Sequence, residues 1–334
     1  MTPSVVEFMV CNKEQVATVA FRAQSLRRLL LSIGTFSTDE FDLMSCHFPW
    51  SDYFSSGISF KVDVEQVQGQ ETRFALARRV VGNVFSILEK QNIVPVVDLK
   101  KPTLTIIIIH NGNQYYVGLD VMGRELNQRH YRIFPHSAST KGDLSYYFIR
   151  QSGFISGEKS VIGFSKDGTL AIEAALFAHS QPVQNVKDKT YSFYSFPSFK
   201  GLEVSSLFTT PLPQAPFIYA FDPSRQNYTA ALKNAKLAGA FSFIHISKYS
   251  LDELDVKFQP AEVSLLLLHA TTKDESQLNE MYHQARYVLK PKGHLFIIGR
   301  TSWEISIAKE FTLLDSMEIH KGGSGYRWWH LQKK

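Results

Sequence analysis

From Ser160 to its end the chain alternates short apolar runs with helical ones, and this rhythm restricts the fold more than any other feature. Ser160 to Phe164 reads as a strand and Leu170 to Ala178 as an alanine-rich helix. Phe217 to Phe221 is a second strand, followed by a helix over Ser224 to Leu237. Phe241 to Ile246 and Val263 to His269 are the third and fourth strands, Gln277 to Leu289 a helix, and His294 to Gly299 a fifth strand. Helices between strands carry the chain back to the same end of a sheet. The pattern therefore predicts an α/β domain with a parallel sheet and helices on both faces. Glu318 to His320 and Tyr326 to Leu331 are predicted to add an antiparallel pair, in which Arg327-Trp328-Trp329-His330 is either a further contact surface or a strand whose two tryptophans pack on opposite sides.

The front half has a different period. Val5 to Val10 reads as a short strand and Glu14 to Ile33 as a helix, with Ser25, Leu26, Leu29, Leu30 and Ile33 on one face. Arg27 and Arg28 between them are read either as an RNA contact or as a solvated helix edge. Ile58 to Val64 alternates as a strand does, and Thr72 to Leu88 carries one apolar helical face. Pro95 to Leu99 is short and extended. Leu104 to Ile109 is a continuous aliphatic run, predicted to be a strand buried on both faces. Asn111-Gly112-Asn113 marks a tight turn with Tyr115 to Val121 as its return strand. Residues 126–155 form a bridge with a helix. The stretch from Gln181 to Pro216 is a long loop whose aromatics, Tyr191, Phe193, Tyr194, Phe196 and Phe199, either stack on bases or pack the loop down.

Composition narrows the class. The 334 residues are 44% hydrophobic, enough for two or three cores. The net charge of +5 permits an anionic partner without naming one. Cys11 and Cys46 sit in no metal-ligand or disulfide spacing, so neither a metal site nor a disulfide framework is expected. The apolar run at Leu104 to His110 is too short to span a bilayer, and the first residues lack a secretory pattern. The expectation is a cytoplasmic protein.

Three stretches carry a family resemblance. The first is Asp98 through Arg132, with Asp98-Leu99-Lys100-Lys101-Pro102 and Gly118-Leu119-Asp120. The second is Gly168-Thr169-Leu170-Ala171-Ile172-Glu173-Ala174-Ala175, and the third is Phe221-Asp222-Pro223-Ser224 running into Asn234-Ala235-Lys236-Leu237-Ala238-Gly239. In this order they resemble the THUMP-containing RNA methyltransferases that modify the exocyclic amine of guanosine (N2) in tRNA. The resemblance implies a ferredoxin-like lead-in over 1–50, a THUMP RNA-binding domain over 51–125, a linker over 126–155 and a Rossmann-like class I methyltransferase domain over 156–334. It implies S-adenosylmethionine as cofactor and tRNA as partner.

Carried onto this chain, the cofactor turn is Ile162-Gly163-Phe164-Ser165-Lys166-Asp167-Gly168-Thr169, and Phe164, Ser165, Asp167, Gly168 and Thr169 are the implied contacts. A glycine-rich turn lets backbone approach the cofactor, because glycine has no Cβ. The family's Asp-Pro is replaced by Ile162-Gly163, and a small residue by Lys166-Asp167, so Asp167 is the stand-in acid. Asp222 ends the second strand, where an acid accepts both ribose hydroxyls, or else caps the helix that follows. Ser247 ends the third strand near the implied adenine position, with Asp252 five residues on. The fourth strand runs into His269-Ala270-Thr271-Thr272, where the family carries an Asn/Asp-Pro-Pro-aromatic turn that holds the target amine and base. His269 is the one candidate for a catalytic base there.

For RNA, the candidate phosphate contacts are Arg78, Arg79, Lys100, Lys101, Arg124, Arg129 and Arg132. The implied function is tRNA binding with catalysis eroded at two loops. Two alternatives stay open: an active methyltransferase with a rearranged site, and a non-catalytic partner of an active methyltransferase subunit.

Overall fold

The two hydrophobic periods sort into two sheets. The computed structural model describes residues 5–38, 40–209, 215–271, 274–321 and 323–334. The front sheet is built from β1 (Leu30–Ser37), β2 (Ser59–Glu65), β3 (Val96–Val97), β4 (Leu104–Asn111) and β5 (Gln114–Asp120), in the order β1-β5-β4-β2-β3. Helices α1 (Lys13–Arg22) and α2 (Gln70–Glu89) accompany it. Val80, Val84, Ile87 and Leu88 of α2 recur at helical spacing and enter the same core as Phe60, Ile106 and Val117 of the sheet. Residues 104–108 are all buried, as expected for a strand covered on both faces. Gly112, at φ +65°, makes the tight turn between β4 and β5.

Two expectations fail here. The helix predicted to Ile33 ends at Arg22, and residues 30–37 are strand β1 instead. Its backbone pairs antiparallel with β5, from Leu30 opposite Asp120 to Ser37 opposite Gln114. That partner lies about eighty residues away in sequence, so local periodicity carried no sign of it. Val5 to Val10 is no strand; it has no regular structure, and Met9 is 97% exposed. Arg27 and Arg28 lie outside any helix, Arg27 exposed and Arg28 half-buried, and both are held by carboxylates. Arg27 pairs with Glu65 and Glu125, and Arg28 with Glu65 and Asp120. Burial raises the Asp120 carboxyl from its ordinary range despite the Arg28 charge.

The rear half follows the predicted rhythm. It comprises α3 (Gly142–Gln151), β6 (Ser160–Gly163), α4 (Thr169–Ala178), β7 (Ile218–Phe221), α5 (Arg225–Leu237), β8 (Ile244–Ser247), α6 (Leu254–Lys257), β9 (Val263–His269), α7 (Glu275–Val288), β10 (Leu289–Arg300), β11 (Phe311–Lys321) and β12 (Ser324–Lys333). The order is β11-β12-β10-β9-β6-β7-β8. The five strands β10, β9, β6, β7 and β8 are parallel, and β12 and β11 close the edge antiparallel. Trp328 and Trp329 enter cores on opposite faces. The loop after Gln181 does not present its rings: Tyr191, Phe193, Phe196 and Phe199 are buried in the front core, and only Tyr194 stays half-buried.

The halves meet at a buried charge cluster. Arg129 Nε donates to Glu173 Oε1 at 2.7 Å, and neither side chain has any exposed surface. Glu173 also accepts from Tyr131 Oη at 2.6 Å and from Gln24 Nε2 at 2.6 Å. Arg129 donates further to the carbonyls of Leu126 and Gln24. Burial would lower the guanidinium, but the charge and hydrogen bonds of Glu173, with Tyr131 and Asp143, outweigh it and raise it.

Candidate functional site

In an open parallel sheet, ligands lie in the crevice beyond the carboxyl ends of the strands, at the point where the strand order reverses. Here the chain runs outward from β6 through β7 to β8, then returns to β9 on the other side of β6. The crevice is therefore between the ends of β6 and β9, and the turn from Phe164 to Gly168 overhangs it. Phe164, Lys166 and Gly168 all have positive φ, at 54°, 51° and 82°. Gly168 caps α4 in a left-handed conformation, and a Cβ there would come within 2.9 Å of Ala231 Cβ on α5.

The two acids predicted to meet the cofactor, Asp167 and Asp222, are instead taken up by protein donors. Asp167 has no exposed surface; it accepts from Arg132 Nε at 2.9 Å, from the His136 backbone N–H, and from both the N–H and hydroxyl of Thr169. Asp222 accepts from the backbone N–H of Lys166 at 2.9 Å, from that of Ser224 and from Asn227 Nδ2. It is not the cap of α5, a role taken by Ser224. Ser165 is buried, and its hydroxyl has no hydrogen-bond partner among the described residues. Ser247 joins this group by its backbone, its carbonyl accepting from the Asp222 N–H at 3.4 Å, and lines a cleft of about 420 Å³ at the β8 edge with Tyr228, Lys248 and Tyr249. Asp252 is exposed, in a short turn beyond it. A second cleft, about 510 Å³, lies on the other side, lined by Arg132, His136, Ser139, Lys141 and Tyr326.

Lys166 is the residue that sequence reasoning passed over. It is 5% exposed, and its ammonium donates to the His269 carbonyl at 2.7 Å and to the Phe164 carbonyl at 3.3 Å. Burial lowers it from 10.5 to about 8, with Asp222 and Asp167 offsetting part of the effect. The unfolded chain would hold that proton up to about 10.5 while the folded chain releases it near 8, so between these values the unfolded state binds more protons and stability rises with pH. Chemical denaturation of the protein against Lys166→Met is expected to show this difference growing by about 2 kcal/mol from about pH 8 to 10. A flat difference would place the ammonium in solvent. The one hint in the sequence was Lys166-Asp167 standing where the resembled turn has a small residue.

His269 ends β9 and is 4% exposed. Burial first, then the Lys166 and His136 charges, hold its imidazole well below its usual value. It is therefore neutral at physiological pH, with the Tyr326 ring 6.2 Å away. Ala270 is buried and Thr271 half-buried, while Thr272 lies outside the described residues. Asn234, also missed, is fully buried and ties this region together. Its amide donates to the carbonyls of Asp167 and Phe134 and accepts from the Phe134 N–H.

The seven candidate RNA contacts part ways. Arg78, Lys100 and Lys101 are exposed. Arg79, the neighbour of Arg78, donates to the Phe41 carbonyl and lies over its ring at 5.3 Å, so its guanidinium is already engaged. Arg124 pairs with Asp188, whose carboxyl burial would raise but the hydrogen bonds of Thr190 and Arg124 bring down to about 2, and stacks 4.2 Å over Tyr191. Arg132 is engaged by Asp167. Arg129 is withdrawn altogether, since its guanidinium is consumed by Glu173 inside the protein. Among the described residues no group of three or more potential ligands could hold a metal ion, and no helix is long and apolar enough to cross a membrane.

Comparison with known proteins gives this geometry a lineage. Residues 129–303 match the model of the family UPF0020, described as RMKL-like, methyltransferase domain. The ribosomal RNA large subunit methyltransferase K/L of Syntrophotalea carbinolica is 24% identical over 257 residues, 72% of this chain and 36% of that protein. That of Photobacterium profundum is 23% identical over 68% of this chain and 34% of its own length. The chain thus spans about a third of the curated relatives it matches. The crystal structure of TrmN from Thermus thermophilus superposes with a TM-score of 0.68 at 18% identity, covering 98% of this chain and 88% of that one. SMU.472, a putative methyltransferase complexed with SAH, gives 0.68 at 16% identity, covering 95% and 87%. At these identities the likeness is one of fold, and the Rossmann-like methyltransferase fold expected from the sequence is the fold observed. The cofactor such a domain implies is S-adenosylmethionine. The turn meant to receive it fits poorly as it stands, with Lys166 across the crevice and Asp222 satisfied by protein donors. The family match covers more than half of the chain, and the protein belongs to the RMKL-like methyltransferase domain family.

Proposed function

We propose that the chain is an RNA-binding member of this family that grips the 3′ end of tRNA with its front half and no longer transfers a methyl group to the guanosine N2 amine. The observation that carries the reading is the end of β9. A transferase acting on an exocyclic amine needs an acceptor for the amine protons and a face on which the extruded base stacks. Here the position holds a buried, neutral His269 whose carbonyl already accepts from Lys166, followed by Ala270 and Thr271. None of these side chains offers an aromatic face, apart from the imidazole turned inward. The front half supports the RNA side of the reading by its sheet-and-helix build, consistent with a THUMP module, and by the exposed Arg78, Lys100 and Lys101. The N–H groups of Lys100 and Lys101 both donate to the Asp98 carboxylate, whose charged form these bonds favour, so the two side chains leave a hydrogen-bonded turn. The reading sets the protein with its RNA in the cytoplasm.

Two measurements test it. Filter binding is expected to show salt-sensitive affinity for tRNA over duplex DNA, and changing Arg78, Lys100 and Lys101 to alanine to flatten the salt slope by about 2–3. Equal affinity for tRNA and DNA, or an unchanged slope, would overturn the RNA assignment. Incubation with total tRNA and rRNA and a labelled methyl donor is expected to leave the RNA unlabelled. Incorporation that disappears in His269→Ala would instead establish a rearranged, working site.

A further inference from the structure

We propose that Lys166 is a built-in occupant of the cofactor crevice, and that an adenosyl ligand binds this protein only by displacing its side chain. The inference rests on the family reading of the cofactor, but not on the loss of catalysis or on RNA binding.

The position is set by topology. The crevice of this sheet lies between the carboxyl ends of β6 and β9. The Lys166 ammonium spans that gap, donating to the last carbonyl of β9, at His269, and to the carbonyl of Phe164, the residue after β6. In strand order the two clefts flank it, one at Ser247 on the β8 side and one at Tyr326 on the β12 side. A nucleoside with an amino-acid tail laid along these strand ends from Ser247 past Asp222 toward β9 meets the lysine midway.

The backbone supports the same conclusion. Lys166 sits at φ +51°, a conformation glycine adopts without penalty and a lysine does not. A glycine there would let a ligand reach the backbone, whereas lysine fills the space with four methylenes and a charge. The lysine N–H is itself held by Asp222, so the residue that would take ribose hydroxyls now secures the occupant's backbone. The ammonium is a cation among carbonyls and carboxylates, and a sulfonium arriving at the same place would be a second one. A group with lowered proton affinity in a dry position agrees with this arrangement.

Isothermal titration with S-adenosylhomocysteine distinguishes the cases. Lys166→Gly is expected to bind at least about tenfold more tightly than the unmodified protein, since it opens the crevice and suits the left-handed backbone. Lys166→Met keeps the volume without the charge and is expected to bind no better than the unmodified protein. A separate readout is amine labelling: Lys166 should react slowly in the free protein and faster when saturating S-adenosylhomocysteine drives it out. The proposal is overturned if the unmodified protein binds as tightly as Lys166→Gly, or if Lys166→Gly melts normally yet gains nothing. It is equally overturned if Lys166 labels at the rate of an exposed lysine. Filter binding of tRNA reads the front half and is indifferent to these results, so either reading can fail alone.

Discussion

Glu173→Ala is expected to cost about 3–5 kcal/mol of stability, the largest effect of any single side-chain truncation in the charge cluster. The carboxylate has no exposed surface and accepts from Arg129, Tyr131 and Gln24 together. Its removal strands the Arg129 guanidinium, a charge that cannot shed its proton, in a medium where an unpaired ion is costly. The phenol of Tyr131, pushed well up by its burial and by Glu173, loses its acceptor as well. Gln24 belongs to the front half, Arg129 and Tyr131 to the bridge and Glu173 to α4, so the damage spreads across the junction. Urea denaturation should show the midpoint fall sharply, and thermal melting should drop by about 10 °C. The paired change Arg129→Met with Glu173→Leu should recover most of the loss, because replacing both ions by apolar groups removes the orphan. A loss below about 1 kcal/mol for Glu173→Ala would mean that water reaches the cluster.

Gly168→Val is expected to destabilise by about 2–4 kcal/mol, combining the left-handed backbone cost with overpacking. Gly168 lies at φ +82°, and even a bare Cβ would stand 2.9 Å from Ala231 Cβ and 3.0 Å from its Cα. The second contact is with the backbone of α5, which cannot swing aside as a long side chain would. A branched residue must therefore push α4 and α5 apart at the rim of the crevice. Gly168→Ala should fall between the two, and a Gly168→Val protein melting within about 2 °C of the unmodified one would rule out so close an approach of the helices.

The rear half was readable because its information is local. Strands such as Val263–His269 are continuous apolar runs, the helices between them carry their own face, and Gly168 falls where a cap is needed. The front half was less so. Residues 30–37 have helical spacing in part, yet they pair with β5, and a ladder contributed by a distant strand outweighs a weak local preference. The candidate site was half legible. Asp167, Gly168, Thr169 and Asp222 were brought together by the family resemblance; in the structure Thr169 bonds Asp167, and Asp222 reaches the same turn through the Lys166 N–H. Their partners were not predictable: Asp167 is held by Arg132 and Asp222 by the Lys166 backbone, pairings made across gaps of 35 and 56 residues. The same blindness put Arg129 and Arg132 among surface cations. A basic residue in a sequence does not disclose a carboxylate folded against it.

Period and punctuation alone were enough for the doubly wound sheet and its hairpin edge, since each follows from residues within a few positions of one another, whereas the turn over the crevice came from the family resemblance. Which charges face water, which ring is neutral and what lies across the strand ends were settled by packing. Those properties depend on desolvation and on partners brought together from remote parts of the chain. Lys166 is one letter in a loop until β9 arrives beside β6 and offers its last carbonyl.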